Sequence, residues 1–399
     1  MSRPIRTLLF STLYPSVVRP LHGVFVETRL RELLASGKVE TKVVAPVPWF
    51  PFSAARWGDY AKFARTPAFE NRNGVDVWYP RYALLPRVGM SIAPLLMAMA
   101  ARPTVRRLID DGFDFDLIDS HYYYPDGVAA ALLARSFGKP LTITARGTDL
   151  NLIPQHALPR RMIQWAAGRA DASIGVCAAL MDVLRKWGIP EDRLHVMRNG
   201  VDLQRFRPVS LQQARQMLGI KGGPVLISVG HLIERKGHHL AIAAMPHVLL
   251  VHPQAQLLIV GEGAERDRLL ALTREYKVDA HVTLTGSVPN EQLAAWYSAA
   301  DALILASSRE GWANVLLEAM ACGTPVVATR IWGTPEVVAE DAVGLLVAQR
   351  DAPSLAEGVL QLLAAPRDRG YVRQYAERFG WAPTTQAQVA LFERLTTGT

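Results

Sequence analysis

Two glutamates and two cations in the second half of the chain have the types and spacing for chemistry on a phosphorylated sugar. The segment Ser307-Ser308-Arg309-Glu310-Gly311-Trp312-Ala313-Asn314-Val315 follows the apolar run 302–305 and opens onto the apolar stretch 316–321. A strand, a glycine-containing loop and a helix start bring backbone N–H groups and the positive end of a helix dipole to one point, which suits a diphosphate. Glu310 lies in the loop and Glu318 eight residues on, so both carboxylates can face one ligand. Such groups accept from paired O–H donors, as a sugar or a ribose diol offers. Upstream, the run 225–229 ends in Gly230-His231-Leu232-Ile233-Glu234-Arg235-Lys236-Gly237. Arg235 and Lys236 stand just before another helix, where a cation can offset charge on a departing nucleoside diphosphate, the task a metal performs elsewhere.

The first half offers fewer candidates. His121, within Ser120-His121-Tyr122-Tyr123-Tyr124-Pro125-Asp126-Gly127, ends an apolar run. It can hydrogen-bond a sugar hydroxyl, act as a base, or sit as a satisfied core histidine beside three tyrosines. In Ala145-Arg146-Gly147-Thr148-Asp149, a permanently charged guanidinium cannot serve as a base but can grip a phosphate or carboxylate bidentately. Asp149 either orients Arg146 or an acceptor hydroxyl, or caps the following turn. Gly23 allows close backbone approach to an acceptor, as well as an ordinary turn.

The elements that must position these residues alternate regularly. Short β-branched or leucine-rich runs at 5–10, 41–45, 75–79, 117–119, 141–144, 172–176 and 194–197 are separated by helical patterns, and the alternation restarts after Pro208 at 225–229, 257–260, 282–284, 302–305, 325–328 and 344–347. Such βα alternation predicts mainly parallel sheets, two of them. The expected fold is α/β, two Rossmann-like doubly wound domains facing across a cleft, with ligands at the carboxyl ends of the strands. The reading places an N-terminal, acceptor-binding domain at 1–203 and a donor-binding domain at 204–380. Residues 381–399 form a C-terminal helix returning to the first domain, and 201–223 form the linker.

With 399 residues the chain has room for two cores. Its formal charge of +8 is uneven: residues 1–202 hold 26 Lys+Arg against 18 Asp+Glu, and residues 203–399 hold 18 of each. The basic half suits an anionic partner, such as a phosphorylated lipid carrier, an acidic membrane surface or an acidic glycan, or simply a solubilising surface charge. No basic cluster interleaved with aromatics points to nucleic acid. Two cysteines in unrelated contexts give neither a disulfide framework nor a metal spacing. The run 92–101 falls short of a membrane span, and Thr7-Leu8-Leu9-Phe10 reads as a first strand rather than a signal core. A cytoplasmic protein is expected, with peripheral contact at the inner face of the membrane through its basic half.

Four features are set aside as chemistry. Asp114-Phe115-Asp116 has D-x-D spacing but precedes a strand, the wrong end for a ligand. His238-His239 opens a helix without a partner ligand at helical spacing, and is expected to be a surface cap. The stretch 92–109 reads as a core helix with a basic, solvated end. Trp49-Phe50-Pro51-Phe52, in a proline-rich stretch, reads as an exposed acceptor or membrane loop, or as a plug for the cleft.

The segment 307–329, Ser307 through Thr329 with Glu310 and Glu318, resembles the acidic E-x7-E region of the retaining glycosyltransferases of family 4, which have the GT-B fold. The segments 199–202, 229–237, 259–269 and 284–301 are similar to the same family in matching order. The likeness is close over the second half and loose over the first. It implies transfer of a sugar from a nucleoside diphosphate, UDP being the commonest, to a hydroxyl of a glycan or lipid-linked acceptor in cell-surface polysaccharide or glycolipid synthesis, with retention and with neither metal nor cofactor. By the resemblance, Lys236 and the backbone of Gly311, Trp312, Ala313, Asn314 and Val315 contact the diphosphate, Glu318 the ribose and Glu310 the transferred sugar. Gly230-His231 stands where the family has Gly-Arg, so the second cation falls to Arg235 or to protonated His231, or is missing. Arg146 replaces a family histidine. Two other readings share the architecture, a nucleotide-sugar epimerase and a phosphorylase; a third is a catalytically silent sugar-binding subunit.

Overall fold

A computed structural model describes residues 3–83 and 89–397. The chain divides into two compact units, Met1–Arg198 with Ala382–Thr399, and Asn199–Trp381. The boundary falls a few residues before the one read from the sequence, because Asn199 already bonds within the second unit, its side-chain amide donating to Asn314 Oδ1 at 3.3 Å.

The first unit is built on an eight-stranded sheet. Its order from edge to edge is Leu194–Val196, Ala172–Gly175, Leu141–Ala145, Leu117–His121, Ile5–Phe10, Val39–Val44, Val75–Trp78 and Phe69–Arg72. All neighbours are parallel except the last pair. The strands Leu117–His121 and Leu141–Ala145 are buried at every position, the pattern of a sheet covered on both faces. The antiparallel edge strand Phe69–Arg72 was not expected; it turns back through Asn73 and Gly74, with φ of 52° and 83°, the positive-φ pair a tight hairpin requires. The C-terminal helix Trp381–Thr397 packs Val389 and Phe392 against Leu33, Val39 and Leu117 of this unit.

The second unit has six parallel strands in the order Val282–Gly286, Gln256–Val260, Val225–Val229, Ala302–Leu305, Val326–Thr329 and Gly344–Val347. Numbered by appearance this is 3-2-1-4-5-6, the doubly wound order whose crevice lies where the winding reverses. The reversal falls between Val225–Val229 and Ala302–Leu305, the two strands that precede the candidate donor residues. In the first unit it falls between Ile5–Phe10 and Leu117–His121.

Asp114 pairs with Lys139 at 2.6 Å and Asp116 with Arg3 at 2.6 Å, so the D-x-D carboxylates serve ion pairs before the strand. Helix Gly89–Asp110 buries Met97, Ala101, Val105 and Leu108 at helical spacing, although Leu95 and Met99 of its apolar run face outward. Among the described residues, no helix is long and apolar enough to cross a membrane, and no group of His, Cys, Asp and Glu is placed to hold a metal ion.

Candidate active site

In the second unit the loop after Val225–Val229 is shaped by glycines. Gly230 has φ 149°, and a Cβ on Gly261 would lie 1.9 Å from its carbonyl oxygen, so two neighbouring loops pass with no room for side chains between them. Glu234–Lys236 forms one 3-10 turn ended by Gly237 at φ 74°. A Cβ at Gly237 would lie 2.0 Å from the carbonyl oxygen of Ala306. The turn is thereby seated on the end of the neighbouring strand, where Ser308 N–H donates to the Arg235 carbonyl at 2.8 Å.

That seating brings the predicted cations to the predicted carboxylate. Lys236 Nζ donates to Glu310 Oε1 at 2.7 Å, and Ser307 Oγ donates to the same oxygen at 2.7 Å. Arg235 lies 3.7 Å from Glu310 Oε2 and donates to the Arg309 carbonyl at 2.8 Å. Glu310 is only 6 % exposed; a charge at that depth persists because it is paired and hydrogen-bonded. Gly311, Trp312 and Ala313 are buried and lead into helix Asn314–Ala321, whose N-terminus has no side-chain cap. Uncapped first-turn N–H groups are what an anion uses.

Glu318, in the middle of that helix, accepts from Tyr297 Oη at 2.8 Å. Burial pushes its carboxyl above the usual carboxylate range, against the pull of Tyr297, Arg205 and Lys236. His231 is exposed at the mouth of the loop.

His238 is not a surface cap. It is buried, accepts from Ser228 Oγ at Nδ1 (2.9 Å) and donates from Nε2 to the His231 carbonyl at 3.3 Å. The ring pins strand to loop and fixes where Gly230 and His231 stand.

In the first unit the structure gathers Gly23, His121, Arg146 and Asp149 at the carboxyl end of the sheet, beside the reversal. Gly23, φ 69°, starts helix Val24–Ala35, and a Cβ there would lie 2.2 Å from the Leu13 carbonyl oxygen; the residue closes the loop on itself. Ser11 Oγ donates to the His121 carbonyl at 2.9 Å, while Thr12 bonds Asp126 through both its N–H and its hydroxyl. Asp149 accepts from the N–H groups of Tyr123, Arg146 and Gly147 at 2.9, 3.0 and 2.7 Å. Its carboxylate thus caps the turn, the second of the two expected roles.

His121 is 1 % exposed with both ring nitrogens engaged. Nε2 donates to Asp119 at 3.2 Å, and Arg146 donates to Nδ1. Burial lowers the imidazole to about 4, with Asp119 opposing and Arg146 adding to the shift. It is the satisfied core histidine, and its ring aims Arg146, whose guanidinium also lies 5.3 Å above the Phe25 ring. Behind it stands a network the sequence did not disclose. Thr142 and Gln388 donate to Asp119 at 2.9 and 3.2 Å, and the fully buried Arg29 donates to Gln388 at 2.7 Å.

Comparison with known proteins names the family. The model "Glycosyltransferase Family 4" matches residues 24–205, and "Glycosyl transferases group 1" matches residues 212–379. A teichuronic acid biosynthesis glycosyltransferase of Bacillus subtilis is 29 % identical over 89 % of this chain and 88 % of its own. A D-inositol 3-phosphate glycosyltransferase of Corynebacterium urealyticum is 32 % identical over 72 % of this chain and 73 % of its own. Among solved structures, sucrose-phosphate synthase of Thermosynechococcus elongatus shares the fold with TM-score 0.81 at 24 % identity, covering both chains fully. HepE of Anabaena, solved with UDP, does so with TM-score 0.71 at 19 % identity, over 98 % of this chain and 99 % of its own. The chain is a glycosyltransferase of GT-B type and belongs to the family 4 glycosyltransferases.

Proposed function

We propose that the chain transfers a sugar, with retention of anomeric configuration and without a metal, from a nucleoside diphosphate to a hydroxyl of an anionic glycan or lipid-linked acceptor. The observation that carries the reading is the Lys236–Glu310 contact of 2.7 Å at the winding reversal of the second unit. It sets a cation, a carboxylate and an uncapped helix start at one place, as a phosphorylated sugar requires.

In this reading Lys236, Arg235 and the amides from Gly311 to Val315 take the diphosphate, Glu310 the sugar hydroxyls, and Glu318, oriented by Tyr297, the ribose. The bond from the anomeric carbon to the diphosphate oxygen breaks, and its electron pair leaves with the nucleoside diphosphate. The acceptor oxygen bonds the same face of that carbon, and its proton passes to the departing phosphate oxygen. Lys236 and Arg235 supply the positive charge that stabilises the leaving group, which is why no divalent ion is invoked.

UDP is the favoured nucleotide, supported by its presence in the structurally similar Anabaena protein. Arg146 is assigned to an anionic acceptor, a reading supported by relatives named for teichuronic acid and for D-inositol 3-phosphate. His121, with both nitrogens engaged, is a positioning residue for Arg146 and not a base. Gly23 shapes the neighbouring loop.

The test is thermal unfolding with ADP, GDP, CDP and UDP in turn. A ligand at about a hundred times its Kd adds roughly 2.7 kcal/mol, or roughly 5–10 °C for a unit of this size. Lys236→Ala should abolish most of the shift; an unchanged shift removes the diphosphate from this loop. Radiolabelled UDP-sugars with envelope extracts then decide between transfer and mere binding.

A further inference from the structure

The segment between strands Val47–Pro48 and Phe69–Arg72 takes no part in the sites above, yet it gathers aromatic side chains at the surface. It runs through Trp49-Phe50-Pro51-Phe52 into the 3-10 turn Ala55–Trp57 and the helix Asp59–Arg65. Trp49, Phe52, Trp57 and Tyr60 are 55, 51, 40 and 51 % exposed. Their rings lie against each other: Phe52 stacks on Trp57 at 5.4 Å, and Phe50 meets Phe52, Trp57 and Tyr60 at 5.9, 5.7 and 5.2 Å. Scattered exposed hydrophobics are ordinary, but a contiguous cluster of large rings marks a surface that another phase or molecule covers.

The surroundings say which. Arg56 lies over the Trp57 ring at 5.7 Å, and Arg19 over Phe63 of the same helix at 5.1 Å. Arg65 is exposed at the helix end. Arg19 belongs to the loop before Gly23, where Leu21 is also exposed. Residues 47–66 contain Arg56, Lys62 and Arg65 against the one acidic Asp59, and the half of the chain that holds them carries the whole formal excess of +8. Amphipathic rings rimmed by cations match the headgroup level of a bilayer, where tryptophan and tyrosine settle and basic side chains meet lipid phosphates.

We propose that this aromatic segment docks the first unit on an anionic phospholipid surface, with the rings of Trp49, Phe52, Trp57 and Tyr60 at headgroup depth and Arg19, Arg56 and Arg65 against the phosphates. The contact brings the loop that carries Gly23 to the lipid face. It does not depend on which nucleotide or acceptor the enzyme uses.

Co-sedimentation of the full chain with phosphatidylcholine vesicles, with and without phosphatidylglycerol, tests the proposal. The wild type should pellet with the anionic vesicles, weakly with the neutral ones, and less as salt shortens the Debye length. Trp49→Ser with Phe52→Ser should reduce partitioning by about tenfold at an unchanged unfolding midpoint. Arg56→Glu with Arg65→Glu should weaken binding to the anionic vesicles alone. If the double serine variant unfolds early, Trp49→Ser by itself serves, with a loss of about threefold. A wild type that ignores both vesicles, variants that pellet as the wild type does, or a patch that binds a soluble glycan and no lipid would each overturn it.

Discussion

Lys236 Nζ and Glu310 Oε1, 74 residues apart in sequence, share a hydrogen bond of 2.7 Å at the point where the sheet of the second unit reverses its winding. Each of the two residues thereby neutralises the other. In the proposed function, a diphosphate would compete with Glu310 for Lys236, and sugar hydroxyls would take up the carboxylate so released. On that reading, the pair would select against a bare anion and for one that carries a sugar. Glu310→Gln should therefore tighten binding of the free nucleoside diphosphate by roughly three- to tenfold while lowering transfer by about a hundredfold. Titration calorimetry with UDP beside a transfer assay reads both, and weaker UDP binding in the variant would contradict the coupling.

Gly237 makes that pair possible. Its φ of 74° and the 2.0 Å approach of a would-be Cβ to the Ala306 carbonyl leave no room for alanine, and the obstacle is backbone, which cannot rotate away. Gly237→Ala should cost about 2 kcal/mol or more and weaken donor binding with it, because the turn that carries Lys236 must lift off the strand. Gly188, also at positive φ but with nothing near its Cβ direction, supplies the control: its alanine variant bears backbone strain alone and should keep the donor-induced thermal shift.

How much of this could be read from the chain follows from distance in sequence. The second unit was legible because Lys236 and Glu310 sit in short loops after strands whose apolar runs stand out, and the doubly wound order fixes where such loops lie. His238 was misjudged because a histidine pair at a helix start looks polar, and only the Ser228 and His231 contacts show it to be internal. The edge strand Phe69–Arg72 has no apolar alternation to betray it; the one available sign was Asn73-Gly74. Arg29 was out of reach altogether. It reads as one of two arginines on its helix, and its partner Gln388 lies 359 residues away.

Two buried groups of the first unit should give its stability opposite pH dependences. Asp126 is pushed up from 3.8 to about 7, burial outweighing its bonds to Thr12. The folded state therefore holds this proton more tightly, so its contribution is complete below about pH 4 and lost as pH rises through 7. His121 is lowered from 6.5 to about 4 by burial; its contribution is present above 6.5 and lost as pH falls toward 4. Relative to wild type, Asp126→Asn should gain thermal stability as pH is raised from 4 to 7, while the penalty of His121→Asn should shrink as pH is lowered from 6.5 to 4. Differences that do not vary with pH would mean that neither group changes protonation on folding.

The C-terminal helix is tied to the carboxyl end of the first unit's sheet by one chain of contacts, Arg29 to Gln388 at 2.7 Å, Gln388 to Asp119 at 3.2 Å, and Asp119 through His121 to Arg146. Against the upward push of burial, His121, Thr142 and Arg29 hold the Asp119 carboxyl below its ordinary range, so it is a buried anion that depends on these neighbours. Arg29→Met removes one of its compensating charges and should cost about 3–5 kcal/mol. Gln388→Leu strands a donor and an acceptor without removing a charge, and should cost about 1–3 kcal/mol. Since both act on the same carboxylate, the double variant should cost less than the sum of the two, and chemical denaturation of the four proteins gives the coupling. Strict additivity would show that the helix is held by its apolar face, Val389 and Phe392, and that Gln388 transmits nothing to Arg146.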